Sequence, residues 1–261
     1  MRKLGFIGSG KMATALMKSL SGSQYAISAS DRSREKIKGL EKSLKIKAFS
    51  DNISLAKHSD IIFICVKPQD IEAVLDEIKE AAKGKLIVSI AAGISLAFIR
   101  KKLSSSRIIR VMPNVLCDVG KMAAAFSLGK GADREDAVEI KKILGFSGIS
   151  FEVREKELDA VTAVSGSGPA FVAYLIRCFI NKGKEMELSD EISKALALQT
   201  IEGTAKMLSE KGIRPEELIK MVMSPNGTTY AGMQVLENSD VHKIIGKTLE
   251  AARKRAVELG R

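Results

Sequence analysis

The segment Lys3-Leu4-Gly5-Phe6-Ile7-Gly8-Ser9-Gly10-Lys11-Met12-Ala13-Thr14-Ala15-Leu16 constrains the fold more than any other stretch of the chain. Lys3 to Ile7 reads as a short apolar strand, and Met12 to Leu20 carries helical periodicity. Between them Gly8 permits a sharp turn, and Gly10, with no side chain, leaves backbone open to a diphosphate. Ala13 stands at the third small position of the G-x-G-x-x-A pattern. The free N–H groups and positive dipole end of the following helix meet phosphate charge. Asp31 follows at about 20 residues, where an acid takes ribose hydroxyls. The plain alternative is an ordinary glycine-bearing βα turn. The combined pattern predicts a Rossmann-type, dinucleotide-binding start.

The chain then alternates. Strands are expected at 25–30, 45–49, 61–66, 86–92 and 107–112, with helices at 33–44, from Asp51, and at 67–83 with Pro68 in the first turn. The wholly apolar run from Ile61 suits a parallel strand covered on both faces. This alternation predicts an open parallel sheet with right-handed crossovers. Two more strands, at 122–128 and 149–153, flank a helix at 133–144, where Asp133 and Asp136 have the spacing of a capping box. After Val153 the class changes: 155–164, 170–182, 189–211, 215–223 and 240–259 all read as helices. The expected fold is an α/β Rossmann-type domain over 1–153 followed by an all-α domain over 154–261. Such long helices need a partner surface, so the second domain is expected to dimerise.

The net charge of +11 raises the question of nucleic acid. The lysines are spread over helices and tryptophan is absent, so a stacking surface for bases is not expected. A basic surface also draws anionic cofactors and carboxylate substrates. Cys65, Cys117 and Cys178 are far apart and odd in number, which argues against a disulfide framework or a metal site and fits a reducing cytoplasm. No signal peptide and no apolar run of membrane-spanning length is read, so no membrane association is expected.

Ligands of open α/β sheets bind at the carboxyl ends of the strands. Those ends supply the expected cofactor contacts: Ile7, Gly8, Ser9, Gly10, Lys11 and Met12; Ser30, Asp31 and Arg32; Val66, Lys67 and Pro68; Ala91 and Ala92; Pro113 and Asn114. Asn52, at a helix start on the same edge, is expected near the adenosine. Ala91 and Ala92 leave room for a flat nicotinamide. Asp31 suits the ribose hydroxyls of NADH, whereas Arg32 suits the 2′-phosphate of NADPH, so the two cues point in opposite directions. Two loops, 162–170 and 224–229, combine Ser, Thr and Gly at helix starts, a carboxylate-binding device. His58 and His242 lie away from the strand ends. A reductase without a histidine acid suits a substrate that needs little activation, such as a cyclic imine.

The motifs Gly5-Phe6-Ile7-Gly8-Ser9-Gly10-Lys11-Met12-Ala13, Val66-Lys67-Pro68-Gln69, Val88-Ser89-Ile90-Ala91-Ala92-Gly93, Arg110-Val111-Met112-Pro113-Asn114, Ser165-Gly166-Ser167-Gly168-Pro169-Ala170-Phe171 and Ser224-Pro225-Asn226-Gly227-Thr228-Thr229 together resemble the pyrroline-5-carboxylate reductases. The resemblance covers essentially the whole chain. It implies NAD(P)H-dependent reduction of 1-pyrroline-5-carboxylate to L-proline, and with Arg32 beside Asp31 NADPH is expected to serve at least as well as NADH. It also implies a homodimer with interlocked helical domains, assembling further into decamers. By the same resemblance Thr229 is the catalytic, ring-nitrogen-contacting threonine, and Glu155 is an acidic position beside the pocket. The substrate is expected among Glu155, Ser165, Gly168, Pro169, Ser224, Gly227, Thr228 and Thr229, next to Ala91 and Ala92, with its carboxylate on N–H groups near Gly227 and Thr228. The chain departs from the family at Asn226, where a second glycine is usual, and at Val115-Leu116, where Thr-Pro is usual. A β-hydroxyacid dehydrogenase would need a lysine early in the helix after the second glycine motif, and 171–176 has none. A dinucleotide-sensing protein would have no use for both hydroxyl-rich loops.

Overall fold

In the computed structural model, which describes residues 1–260, the N-terminal strand β1 (Lys3–Ile7) lies inside an eight-stranded sheet. The other strands are β2 (Ala26–Ser30), β3 (Lys47–Phe49), β4 (Ile61–Ile64), β5 (Leu86–Ser89), β6 (Arg107–Met112), β7 (Met122–Leu128) and β8 (Gly148–Glu152), in the spatial order β3-β2-β1-β4-β5-β6-β7-β8. The connecting helices are α1 (Lys11–Ser19), α2 (Arg34–Leu44), α3 (Asn52–His58), α4 (Ile71–Ile78), α5 (Leu96–Lys102) and α6 (Arg134–Gly145). Successive strand residues point to opposite faces, so each apolar strand serves two cores. Leu4, Phe6, Phe63, Val88 and Ile109 pack with Leu16, Ile37 and Ile140 from α1, α2 and α6. Ile62, Ile64, Ile87 and Ile108 pack on the other face with Leu55, Leu75 and Ile99 from α3, α4 and α5. This double burial explains the unbroken apolar runs.

The sheet departs from the all-parallel expectation at one place. β7 runs antiparallel to β6, pairing Met112 with Ala125 and Ile109 with Leu128. The link between them holds only a 3₁₀ turn at Val115–Val119, too short for a crossover, so the chain must reverse. The expected helix at 67–83 is also shorter. A 3₁₀ turn over Pro68–Asp70 precedes α4, and the chain leaves helical geometry before Gly84, which has φ of +73°. The capping box of α6 is present, with Asp136 N–H donating to Asp133 and Asp133 N–H to Asp136.

The chain divides into two compact units, one of residues 1–167 with the chain from Ala251 on, the other of residues 168–250. The expected break at 153 instead follows the change of element class after β8. Residues 154–167 stay with the sheet because Leu158 and Ala163 are buried in it. They form α7 (Leu158–Val161) and a π turn over Thr162–Gly166. The second unit holds α8 (Gly168–Glu185), α9 (Asp190–Lys211), α10 (Pro215–Val222), α11 (Thr228–Glu237) and most of α12 (Val241–Leu259). The sequence reading did not separate α11. None of α8, α10 and α11 buries a residue, and Leu175, Phe179, Ile192, Leu196, Val222, Val235 and Ile244 are exposed. Against the sequence expectation, one helical stretch, Glu155–Glu185, is long and apolar enough to cross a membrane by length and composition.

Phe6 and Phe63 stack between β1 and β4 with ring centroids 4.6 Å apart and an interplanar angle of 9°. Both are fully buried. Phe6→Ala is expected to lower stability by about 3–5 kcal/mol, measured by urea denaturation followed by circular dichroism.

Candidate active site

A cavity of about 310 Å³ opens where β1, β2 and β4 end, lined by Ile7, Gly8, Ser9, Gly10, Asp31, Arg32, Asn52, Val66 and Lys67 among others. Gly8 has φ of +94°, and a Cβ there would stand 2.9 Å from the Cys65 carbonyl oxygen. Its N–H donates to the Ser30 carbonyl at 2.9 Å, which binds the turn to β2. Gly10 is the opposite case: a Cβ there would meet nothing within 4 Å. Gly10 caps α1 without a side-chain hydrogen bond, and the first N–H groups of that helix have no partner inside it. Open space beside unengaged N–H donors at a helix start fits a pyrophosphate. Lys11 and Met12 lie on the far side of Gly10, lining a second hollow with Thr14, Lys36 and Val115.

Asp31 is committed to the chain itself. Oδ2 accepts from the Ser9 N–H at 2.7 Å and from the Ser9 hydroxyl at 2.6 Å, and Oδ1 accepts from the Ser33 N–H at 2.8 Å. Burial alone would raise its carboxyl. The hydrogen bonds from Ser9 and Ser33, with the Lys36 charge, instead hold it below the usual carboxylate range. Asp31 therefore clamps the glycine turn to the end of β2. Arg32 is exposed and reaches Asp70, Nη1 to Oδ1 at 3.0 Å. Buried Ser30 donates to Asn52 Oδ1 at 2.7 Å, and Asn52 Nδ2 donates to Glu77 at 2.7 Å. Lys36, Cys65, Gln69, Asp70 and Val74 also line the cavity. The sequence reading missed them. Cys65 and Gln69 bracket the strand end already singled out, and Lys36 stands one turn into α2. Burial pushes the Cys65 thiol far above its ordinary value, so it stays protonated. Pro68, Ala91, Ala92, Pro113 and Asn114 do not line this cavity. Ala91 is buried, its N–H donating to Ser89 Oγ at 3.3 Å.

Asn114 and Ser165, expected on cofactor and substrate respectively, are joined to each other. Buried Asn114 donates from Nδ2 to the Ser165 carbonyl and hydroxyl, both at 3.1 Å, and its Oδ1 accepts from the Ala123 N–H at 3.3 Å. Ser165 Oγ donates to the Ala123 carbonyl at 2.5 Å. Residues 162–166 are a π turn that continues α7, not a loop, and the Ser167 N–H donates back to Thr162 at 2.8 Å. Single π turns recur at functional sites. Gly168 and Pro169 open α8 directly after it. Glu155 Oε1 accepts from the Leu96 N–H at 2.6 Å and from Arg110 Nη1 at 3.4 Å. Arg110, missed as a site residue, is 7% exposed, and its signal was a charge inside the apolar strand β6. Glu155 thus braces the start of α5, just beyond the Ala91-Ala92-Gly93 turn.

In the second unit, Asn226 adopts φ of +59°, the left-handed geometry that asparagine tolerates and a glycine would take freely. Gly227 caps α11 with no side-chain hydrogen bond. A side chain at Gly227 would run into the Ser224 hydroxyl. The Gly227 N–H donates to the Ser224 carbonyl at 3.1 Å, so the N–H groups without a partner inside the helix are those of Thr228, Thr229 and Tyr230. Thr229 is half-buried and lines an apolar groove of about 720 Å³ with Thr200, Met207, Leu218, Ile219 and Val222.

The open space at Gly10 separates folding from ligand binding. Gly10→Val has room in the free protein and is expected to leave the melting temperature unchanged while abolishing dinucleotide binding. NADPH titration by fluorescence, alongside thermal denaturation, checks both.

Residues 155–259 match the family model described as pyrroline-5-carboxylate reductase dimerisation. Residues 3–93 match the model described as NADP oxidoreductase, coenzyme F420-dependent. The chain is 38% identical to the pyrroline-5-carboxylate reductase of Methanosarcina acetivorans, covering 100% of this chain and 98% of that one. Its fold matches the Coxiella burnetii pyrroline-5-carboxylate reductase with a TM-score of 0.94 at 29% identity, over 99% of this chain and 98% of that one. The Plasmodium falciparum pyrroline carboxylate reductase, solved with NADP bound, matches with a TM-score of 0.89 at 32% identity, over 100% and 98% of the two chains. With full-length identity at this level and the same two-part architecture, the chain belongs to the pyrroline-5-carboxylate reductase family.

Proposed function

We propose that this protein reduces 1-pyrroline-5-carboxylate to L-proline with NAD(P)H, the last step of proline biosynthesis. The observation that carries the reading is likeness over the full length of reductases of this name, in a chain whose glycine turn is open to a dinucleotide. The reduced nicotinamide supplies hydride to the imine carbon. The chain binds and orients. Gly8, Ser9, Gly10, Lys11 and Met12 hold the pyrophosphate on the α1 N–H groups. Ser30, Asp31, Arg32 and Asn52 surround the adenosine ribose. Val66, Lys67, Pro68, Ala91, Ala92, Pro113 and Asn114 serve the nicotinamide side, Asn114 through its hold on Ser165. NADPH is the preferred cofactor and NADH the second, because Arg32 and Lys36 are exposed cations on the cavity that holds Asp31.

For the substrate we assign Glu155, Ser165, Gly168, Pro169, Ser224, Gly227, Thr228 and Thr229. The carboxylate is received by the N–H groups of Thr228 and Thr229, with Gly227 shaping the turn instead of donating to the ligand. Thr229 hydrogen-bonds the ring nitrogen and relays its proton. Positioning of the two reactants supplies much of the acceleration, since the protonated imine is already a good hydride acceptor.

A homodimer is supported by the name of the family model over 155–259 and by the exposed apolar faces of α8 to α12. Those faces include the apolar stretch to Glu185, whose cover we take to be a second copy and not lipid. Further assembly into decamers follows from the family resemblance. Three free thiols and a small-molecule substrate fit work in the cytoplasm without nucleic acid or membrane as partners.

NADPH oxidation is expected only when 1-pyrroline-5-carboxylate is added, and its absence would overturn the activity. Thr229→Ala is expected to lower kcat by about 10²-fold with NADPH affinity retained, a split read by steady-state kinetics beside cofactor titration. Sedimentation of the active protein is expected to show a dimer or a multiple of it. An active monomer at working concentration would refute the covered helical faces.

A further inference from the structure

Arg32 and Asp70 form an ion pair on the cofactor cavity. Arg32 follows β2 and Asp70 ends the 3₁₀ turn after β4, and the sheet order sets those two strands on either side of β1. Both residues line the cavity that holds Gly8 and Gly10. The contact is single, Nη1 to Oδ1 at 3.0 Å, with the Arg32 side chain 78% exposed and that of Asp70 31% exposed. An exposed pair of this kind contributes little to stability. It does fix where the guanidinium goes when no phosphate is near. A 2′-phosphate on the adenosine ribose would bind the same guanidinium through paired N–H donors, the stronger geometry. The two anions repel each other, so Arg32 cannot serve both at full strength.

We infer that Asp70 sets how strongly the protein prefers NADPH over NADH, by competing with the 2′-phosphate for Arg32. This rests on the reading that Arg32 contacts the 2′-phosphate. With NADH bound, Arg32 stays with Asp70 and its charge is neutralised. With NADPH bound, Arg32 leaves Asp70, and breaking the pair lowers the gain from the phosphate. Asp70 therefore keeps the preference modest and both cofactors usable. Asp31 does not take this part, because the hydrogen bonds from Ser9 and Ser33 hold its carboxylate on the glycine turn, whereas Arg32 reaches Asp70.

Dissociation constants for NADPH and NADH, measured by fluorescence titration at fixed salt, test the inference in wild type, Asp70→Asn, Asp70→Glu, Arg32→Ala and the Asp70→Asn/Arg32→Ala double variant. Asp70→Asn is expected to raise the NADPH-to-NADH affinity ratio about two- to five-fold. Asp70→Glu, which keeps the charge, is expected to stay near the wild-type ratio. Arg32→Ala is expected to lower the ratio, and in that background Asp70→Asn is expected to change nothing. If Arg32→Ala weakens both cofactors equally, the phosphate reading itself fails and the inference with it. If Arg32→Ala is selective but Asp70→Asn leaves the ratio unchanged, or raises it equally without Arg32, the competition is refuted while the phosphate reading stands.

Discussion

The turn after β1 passes so close to the end of β4 that no side chain fits at Gly8. That contact governs the first unit. A residue with φ of +94° and a carbonyl oxygen 2.9 Å from its would-be Cβ can only be glycine. The close approach lets α1 start where the three strand ends converge. The clamp of Asp31 on Ser9 then holds the turn from the other side. A half-buried carboxylate with three hydrogen bonds on two neighbouring loops is a stiff connection. The open space at Gly10 depends on this stiffness, because a slack turn would collapse into it.

Polar residues at the other strand ends do similar work. Asn114, Ser165 and Glu155 are the kind of residue a site reading assigns to a ligand. Asn114 and Ser165 are engaged by each other and by the backbone of β7, and Glu155 braces the first N–H of α5 while facing the buried guanidinium of Arg110. Such hydrogen bonds fix the segments that carry these residues relative to the sheet, an arrangement common where a site must be kept rigid. The π turn beside Ser165 belongs to the same design. It follows α7 directly and ends at the bend of Ser167.

The second unit obeys a different constraint. Its helices α8, α9 and α12 are long, and α8, α10 and α11 bury nothing among the described residues. Helices with this much exposed apolar surface derive their stability from packing. The groove lined by Thr229 is mostly apolar. Gln199, Thr200, Thr204 and Thr229 are the polar side chains on its wall.

The Rossmann architecture was legible in the sequence because it rests on local patterns: the glycine spacing, apolar runs of strand length and the change to helical periodicity after β8. The capping box of α6 and the tolerance of Asn226 for a left-handed backbone were legible for the same reason, since each depends on a few adjacent residues. Tertiary structure alone decided what the polar strand-end residues do. Asp31 is bound by Ser9 and Ser33, and Glu155 by Leu96, distant in sequence, contacts that no local pattern announces. Tertiary structure also decided the reversal at β7, because a strand's direction depends on whether its linker can span the sheet and not on its composition. The pairing of Arg32 with Asp70 has the same origin: a hydrogen bond between strand ends needs a distance, and only the strand order supplies one.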